Sequence, residues 1–192
     1  MSLLTALAMA TAAGGAELAP TPPQTRGPFY PKVLPAERDN DLAQVGGQRA
    51  RGELLVISGR VLERSGAPVA NATVEIWQTN AYGRYHHEDD TSPAPIDPGF
   101  QGWGETVTDG AGAYRFRTVF PKAYGGRTPH VHFAVKAAGR PPFVTQMYFA
   151  DAPENCRDGL LARLRPEERA RLMVRPEPGG EAAQARFDIV LP

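Results

Sequence analysis

Two histidines one residue apart, His130 and His132, stand in the stretch GGRTPHVHF at 125–133. In an extended strand alternate side chains share a face, so the two imidazoles project together and lie close enough to grip one metal ion. The same spacing suits two surface histidines or a hydrogen-bonded core pair, so the surrounding residues decide between these readings. Tyr82, Tyr85, His86 and His87 occupy the long segment 80–103, and Tyr124 and Arg127 occupy 120–129. Taken singly, each tyrosine reads as an amphipathic packing residue. Taken with the paired histidines, the arrangement supports another reading.

The elements that would position these residues are short strands. From Glu53 the hydrophobic pattern has period two. ELLVISGRVL (53–62) reads as a strand and SGAPVANA (65–72) as a turn. ATVEIWQT (72–79) follows as a strand with Val74, Ile76 and Gln78 on one face and Glu75, Trp77 and Thr79 on the other. GETVTDGAGAYRFRTV (104–119) reads as strand, turn at Asp109-Gly110, strand, in the manner of a hairpin. PHVHFAVKA (129–137), FVTQMYFA (143–150) and ARFDIVL (185–191) complete the set. The segment 156–173 is the one convincing helical stretch, in two short pieces broken at Pro166. Seven or so strands at this spacing predict an all-β fold, an antiparallel β-sandwich with long loops and one or two short helices. Long loops in such a domain are where function concentrates.

Composition narrows the classes. A chain of 192 residues, 42% hydrophobic, can bury one core, so the expected organisation is one domain at 53–192 preceded by tails. With formal net charge +0 and no basic block, nothing argues for nucleic acid or an anionic membrane. The single cysteine, Cys156, has no partner for an intramolecular disulfide and reads as an ordinary thiol near a helix start. Residues 1–19 are apolar and small, like the core of an export signal, but lack the basic start such signals need. They are read as a signal remnant or an apolar arm, which leaves the compartment undecided between cytoplasm and export. Residues 20–52 begin proline-rich (PTPPQTRGPFYPKVLP), predicting an extended arm lying across a surface, and continue into a polar loop.

IWQTNAYGRY, TDGAGAYRFRTVFPKAY, GRTPHVHF and VTQMYF, in that order, resemble the intradiol ring-cleavage dioxygenases, the family of protocatechuate 3,4-dioxygenase and catechol 1,2-dioxygenase. The likeness runs from about Thr21 to the C-terminus. It implies one Fe(III) held by two tyrosinates and two histidines, which fall on Tyr85, Tyr124, His130 and His132. It implies a catechol-type diol and O2 as substrates and a cis,cis-muconate-type diacid as product. Within that scheme Tyr124 leaves the iron to act as base, Arg127 stabilises developing negative charge, and Gln146 hydrogen-bonds nearby. The residue types suit this chemistry. Phenolates are hard, strongly donating anions that favour Fe(III) over Fe(II). With an ordinary pKa near 10, a tyrosine ligates as phenolate because the metal displaces its proton.

The resemblance also marks departures. The short loop holding Gly125-Gly126 replaces a longer, tryptophan-bearing segment of protocatechuate enzymes, so one pocket wall is missing or supplied by other residues. A large helical N-terminal domain of the catechol type is replaced by the proline-rich arm, which places the chain nearer the protocatechuate catalytic-subunit type. In that family the arm helps line the pocket, making Thr25, Gly27 and Tyr30 candidate substrate contacts, with Leu160 another. The assembly is then expected to be a homo-oligomer or a complex with a related subunit. Two other classes compete. GRVLERSGAPVANATVEIWQ followed by TDGAGAYRF also resembles non-catalytic β-sandwich modules of the carboxypeptidase-regulatory kind, which leaves the tyrosines, Arg127 and the paired histidines unexplained. A cupin-like site should show a Glu a few residues after the histidines, where Phe133, Ala134, Val135 and Lys136 stand. HHEDD (86–90) as a zinc or copper site competes with its reading as a solvated polar run.

Overall fold

The computed structural model describes residues 16–192, so the apolar segment proposed at 1–19 lies, apart from its end, outside the described residues. A small ribbon, β1 (Gln44–Val45) and β2 (Gln48–Arg49), turns at Gly46-Gly47 and precedes the main strands. These are β3 (Leu54–Leu62), β4 (Thr73–Trp77), β5 (Trp103–Val107), β6 (Ala113–Val119), β7 (His130–Lys136) and β8 (Phe143–Phe149). Two 3-10 turns (Pro153–Arg157, Leu161–Arg163), helix α1 (Pro166–Leu172) and the short strands β9 (Met173–Val174), β10 (Ala183–Arg186) and β11 (Ile189–Val190) follow. One sheet places β3 between β6 and the pair β10 and β11; the other runs β5-β4-β7-β8-β9. Among the described residues no helix is long and apolar enough to cross a membrane.

Strand β7 lies in the middle of the five-stranded sheet, with β4 and β8 as neighbours, and all its residues but Lys136 are buried. Its Val131, Phe133 and Val135 join Val74 and Ile76 of β4, Met147 of β8, Ile57 and Val61 of β3 and Phe116 of β6 in one apolar cluster. Phe133 links the sheets, its ring centroid 6.0 Å from Tyr114 and 5.1 Å from Phe187. Burying such side chains contributes roughly 1.5–3 kcal/mol each, so β7 is anchored rigidly by its odd-numbered residues. The even-numbered residues, His130, His132 and Ala134, consequently face the other way. There Ala134 joins a second, smaller cluster with Trp77, Tyr85 and Trp103. The two-face pattern expected for 72–79 holds, with Val74 and Ile76 in the main core and Trp77 in the second cluster.

Several expectations change in detail. The arrangement is not wholly antiparallel: β10 and β11 run parallel to β3, and β9 parallel to β8. Residues 104–119 do not form a hairpin, because β5 pairs with β4 while β6 pairs with β3. The Asp109 turn, whose Oδ1 accepts the amides of Ala111 and Ala113, instead carries the chain from one sheet to the other. The strand expected at 185–191 is split at Phe187-Asp188. Opposite the break is Gly59, where an added Cβ would lie 1.9 Å from the Phe187 carbonyl oxygen. Pro166 begins helix α1 rather than breaking one, since the first helical position needs no amide donor. Within the segment read as a loop, Leu42 and Ala43 enter the main core.

Candidate metal centre

His130 and His132 are 2% and 1% exposed, and their Nε2 atoms stand 3.2 Å apart. His130 Nδ1 lies 2.6 Å from the Thr128 carbonyl, which assigns the proton to Nδ1 and leaves Nε2 as a lone pair. Two nitrogens at about 2.1 Å from one ion and at right angles would be about 3.0 Å apart, close to this separation. Register supplies the walls. Trp77 is paired with His132 across β4–β7 and stacks on it, centroids 4.7 Å apart and planes 8° apart. On the other side β8 sets Tyr148 opposite His130 and Gln146 opposite His132.

The two tyrosines arrive on loops that touch. Asn80 organises the first: its Oδ1 accepts the amides of Tyr82 and Arg84, and its Nδ2 donates to the Pro95 carbonyl. Asp90 Oδ2 then accepts the Tyr85 amide at 2.7 Å. Gly83, at φ 85°, lies where a Cβ would meet the Ala123 carbonyl oxygen at 2.7 Å, which lets this loop rest on the segment carrying Tyr124. That second segment closes as a tight turn, with Gly125 and Gly126 both at positive φ and reciprocal backbone hydrogen bonds between Tyr124 and Arg127. The glycine pair is the composition such a turn requires.

Tyr85 and Tyr124 meet edge to face at 5.0 Å, Tyr124 lies 5.6 Å from His130, and Tyr85 lies 6.3 Å from His132. Tyr85 is 2% exposed, and among the described residues its hydroxyl has no hydrogen-bond partner, nor does His132 Nδ1. The Tyr124 phenol is the polar neighbour of Tyr85, but the two hydroxyls do not reach hydrogen-bonding geometry. Burial, and then the Tyr124 phenol, push the Tyr85 pKa well up; burial also raises Tyr124, against the pull of Tyr85 and Arg127. Burial and Arg127 lower His130 to about 4, while burial, His130 and Arg127 hold His132 well below its ordinary value. Neutral imidazoles beside two phenols, that of Tyr85 without a partner among the described residues, are groups that could hold a cation. Burial that disfavours free phenolate reverses in effect once a metal charge is present. Among the described residues no three His, Cys, Asp or Glu side chains come together as a metal group.

Beside the four donors, Arg127 Nε donates to Asp158 Oδ2 at 2.8 Å, and its Nη2 donates to Gln146 Oε1 at 2.8 Å and to the Tyr148 hydroxyl at 3.1 Å. Asp158 is fully buried and also accepts the amides of Thr128, Leu160 and Leu161. Burial works to raise its pKa, but the Leu161 and Thr128 amides and Arg127 outweigh burial and hold it below the ordinary carboxylate value. Gln146 Nε2 donates to the Thr25 carbonyl at 2.7 Å, fastening the N-terminal arm to the centre. Gly27, at φ 68°, is placed so that a Cβ would be 3.2 Å from His132 Cε1. Phe29 then rests against both tyrosines, 4.8 Å from Tyr85 and 5.8 Å from Tyr124.

Tyr85, Tyr124, His130, His132, Arg127, Gln146, Thr25 and Gly27 are thus brought together. Tyr30 is not in the same position: its hydroxyl donates to Glu75 at 2.9 Å and its ring lies against Trp77. Leu160 contributes its amide to Asp158. HHEDD divides, with Glu88 and Asp89 exposed and paired to Lys32, and Asp90 buried beneath Tyr85. Sequence reasoning missed Trp77, Phe29, Tyr148 and Asp158 as parts of the centre. The signals available were the β4–β7 and β7–β8 registers and an acidic residue just ahead of a helical stretch, each too common to single these residues out.

A family model described as Dioxygenase matches residues 25–192. The chain is 40% identical over 169 residues to a protocatechuate 3,4-dioxygenase beta chain of Burkholderia cepacia, covering 80% of this chain and 71% of that one. It is 32% identical over 173 residues to catechol 1,2-dioxygenase 2 of Acinetobacter lwoffii, covering 77% and 60%. Among solved structures, the dioxygenase domain of a dioxygenase carbohydrate-binding protein fusion from Streptomyces sp. SirexAA-E superposes with TM-score 0.73 at 29% identity, covering 90% of this chain and 98% of that domain.

Proposed function

The chain belongs to the intradiol ring-cleavage dioxygenases, and from that premise we propose that it holds one ferric ion through Tyr85, Tyr124, His130 and His132 and cleaves a catechol-type diol with O2 to a cis,cis-muconate-type diacid. The observation that carries this reading is the convergence of a half-buried phenol, Tyr124, and a buried one, Tyr85, without a partner among the described residues, on a histidine pair whose Nε2 atoms lie 3.2 Å apart. Ferric iron bound there would act as a Lewis acid that draws electron density from the diol and makes its ring reactive towards O2.

The protein's own groups divide the remaining work. Tyr85 is sealed in and stays a permanent donor. Tyr124 is half-buried on a two-glycine turn, so it is the phenol able to swing away and take a proton from an arriving diol hydroxyl. Arg127, bridged to Tyr124 by backbone hydrogen bonds, keeps a positive charge beside that phenol and beside the ring as negative charge develops. Asp158, Gln146 and Tyr148 hold the guanidinium in one orientation, so little reorganisation is needed when the charge appears. Thr25 and Gly27, beside Gln146 and His132, are proposed substrate contacts, as are Leu160 and Tyr30. The diol itself, with or without a ring carboxylate, belongs to the same proposal. So does an assembly of several copies or with a related subunit.

We read the two sheets as the faces of a β-sandwich, supported by the shared apolar cluster and the Phe133 contacts between them. Residues 53–192 are its catalytic unit and 20–52 the arm laid over it. Metal analysis and a visible spectrum of protein purified without chelator test the function. About one iron per chain with a tyrosinate charge-transfer band that shifts on anaerobic addition of catechol or protocatechuate is expected. A protein that stays colourless after ferric or ferrous reconstitution would refute the reading.

A further inference from the structure

His87 lies in the same aromatic group without a role in the proposed chemistry. Its side chain is 3% exposed. The Asp89 amide donates to its Nδ1 at 3.1 Å, so in the neutral ring the proton sits on Nε2. That Nε2–H is buried, and among the described residues it has no acceptor. A desolvated donor without a partner is unfavourable, and native structures retain few of them without a reason. The ring stands edge-on to Phe29, centroids 5.6 Å apart, and the same Phe29 ring lies on Tyr85 and Tyr124. Phe29 thus links the two tyrosines to His87, and a diol ring that displaced it on reaching a metal held by those tyrosines would present an edge to His87.

We propose that His87 Nε2–H is a substituent-reading donor: it hydrogen-bonds an oxygen carried on the diol ring outside the two catechol oxygens, a carboxylate or a further phenol oxygen. The inference rests on the dioxygenase reading and adds its specificity. Two features fit it. The arm bends at Gly27, a residue at φ 68°, and sets the Phe29 ring against both tyrosines and His87. Lys32, further along the arm, pairs at 2.8 Å with both Glu88 and Asp89, which ties the arm to the segment that sets the His87 tautomer.

The test is anaerobic titration of the iron-loaded full chain, followed by its visible band, with catechol, 3,4-dihydroxybenzoate and benzene-1,2,4-triol. Wild type is expected to bind at least one oxygen-substituted diol more tightly than catechol, and which one identifies the substituent. In His87→Phe that preference is expected to fall about tenfold, as for the loss of one hydrogen bond. His87→Gln, which keeps an N–H donor, is expected to restore most of it. Equal weakening for all three diols would assign His87 a structural role and overturn the inference. So would an unchanged preference in His87→Phe, or a diol complex in which a water sits on Nε2. Iron-loaded wild type that binds none of the three would overturn the dioxygenase reading and this inference with it.

Discussion

Replacing Tyr85 by Phe separates a metal ligand from a packing residue by the sign of its effect. The Tyr85 hydroxyl is buried without a hydrogen-bond partner, while its ring is packed on Phe29 at 4.8 Å and Tyr124 at 5.0 Å. Phe keeps the ring and removes the orphaned group, whose desolvation costs about 1–3 kcal/mol. Metal-free Tyr85→Phe is therefore expected to be more stable than metal-free wild type by about that amount. At roughly 2–4 °C per kcal/mol for a chain of this length, its Tm should rise by about 2–12 °C. Iron reverses the order. At a ferric concentration a hundred times Kd the wild type gains about 2.7 kcal/mol, and a variant lacking one of four donors gains much less. Thermal melts with chelator and with iron, on both proteins, read the two differences directly. A metal-free variant melting below wild type would show that the hydroxyl has a partner, and the argument from its orphaned state fails. Equal iron-induced shifts in the two proteins would remove Tyr85 from the ligand set.

Asp158→Asn should cost about 3–5 kcal/mol at neutral pH, because it leaves the Arg127 guanidinium half-buried without its carboxylate. Since the folded pKa of Asp158 is lowered, its contribution is complete above the unfolded value and is lost as pH falls through the folded value. The gap between wild type and Asp158→Asn in urea titrations should therefore narrow in acid, and a gap that widens would contradict the sign. Gly27→Ala places a methyl 3.2 Å from His132 Cε1 on a left-handed backbone, and is expected to lower iron affinity, read by competition with a chelator, more than it lowers Tm. Gly126→Ala meets open space and should cost only the left-handed backbone, about 1–2 kcal/mol, whereas Gly59→Ala drives a Cβ into the Phe187 carbonyl. Limited proteolysis near 183–191 should then accelerate for Gly59→Ala alone.

That Tyr85, Tyr124, His130, His132, Arg127 and Gln146 would lie together was expected from the family resemblance, and the fold does gather them. His130 and His132 needed only the period of a strand. Strand existence was legible for the same reason, but pairing was not: Asp109-Gly110 has the composition of a hairpin turn, and nothing local says that it changes sheets. Trp77 and Tyr148 become walls of the centre through register, which depends on which strands adjoin and by how much they are offset. Asp158 is a lone acidic residue until the fold carries Arg127 to it, 31 residues away in sequence. Tyr30 shows the converse limit, because the partner of its hydroxyl, Glu75, is set by the fold and not by local sequence. His87 was grouped with its charged neighbours, and a strand-free loop gives no periodicity from which its burial could be read.

The arm over the centre is fastened at two places. Thr21 and Val190, 169 residues apart, exchange two hydrogen bonds, from the Thr21 amide to the Val190 carbonyl and from the Val190 amide to Thr21 Oγ1. Nearer the histidines it is β8 that holds the arm: the Gln24 amide donates to the Val144 carbonyl, Thr145 Oγ1 to the Pro22 carbonyl and Gln146 Nε2 to the Thr25 carbonyl. The same strand is paired with β7, which carries the two histidines. Roof and floor of the centre thus hang from one strand, and loosening the Thr21–Val190 clasp alone should leave metal exchange with a chelator nearly unchanged.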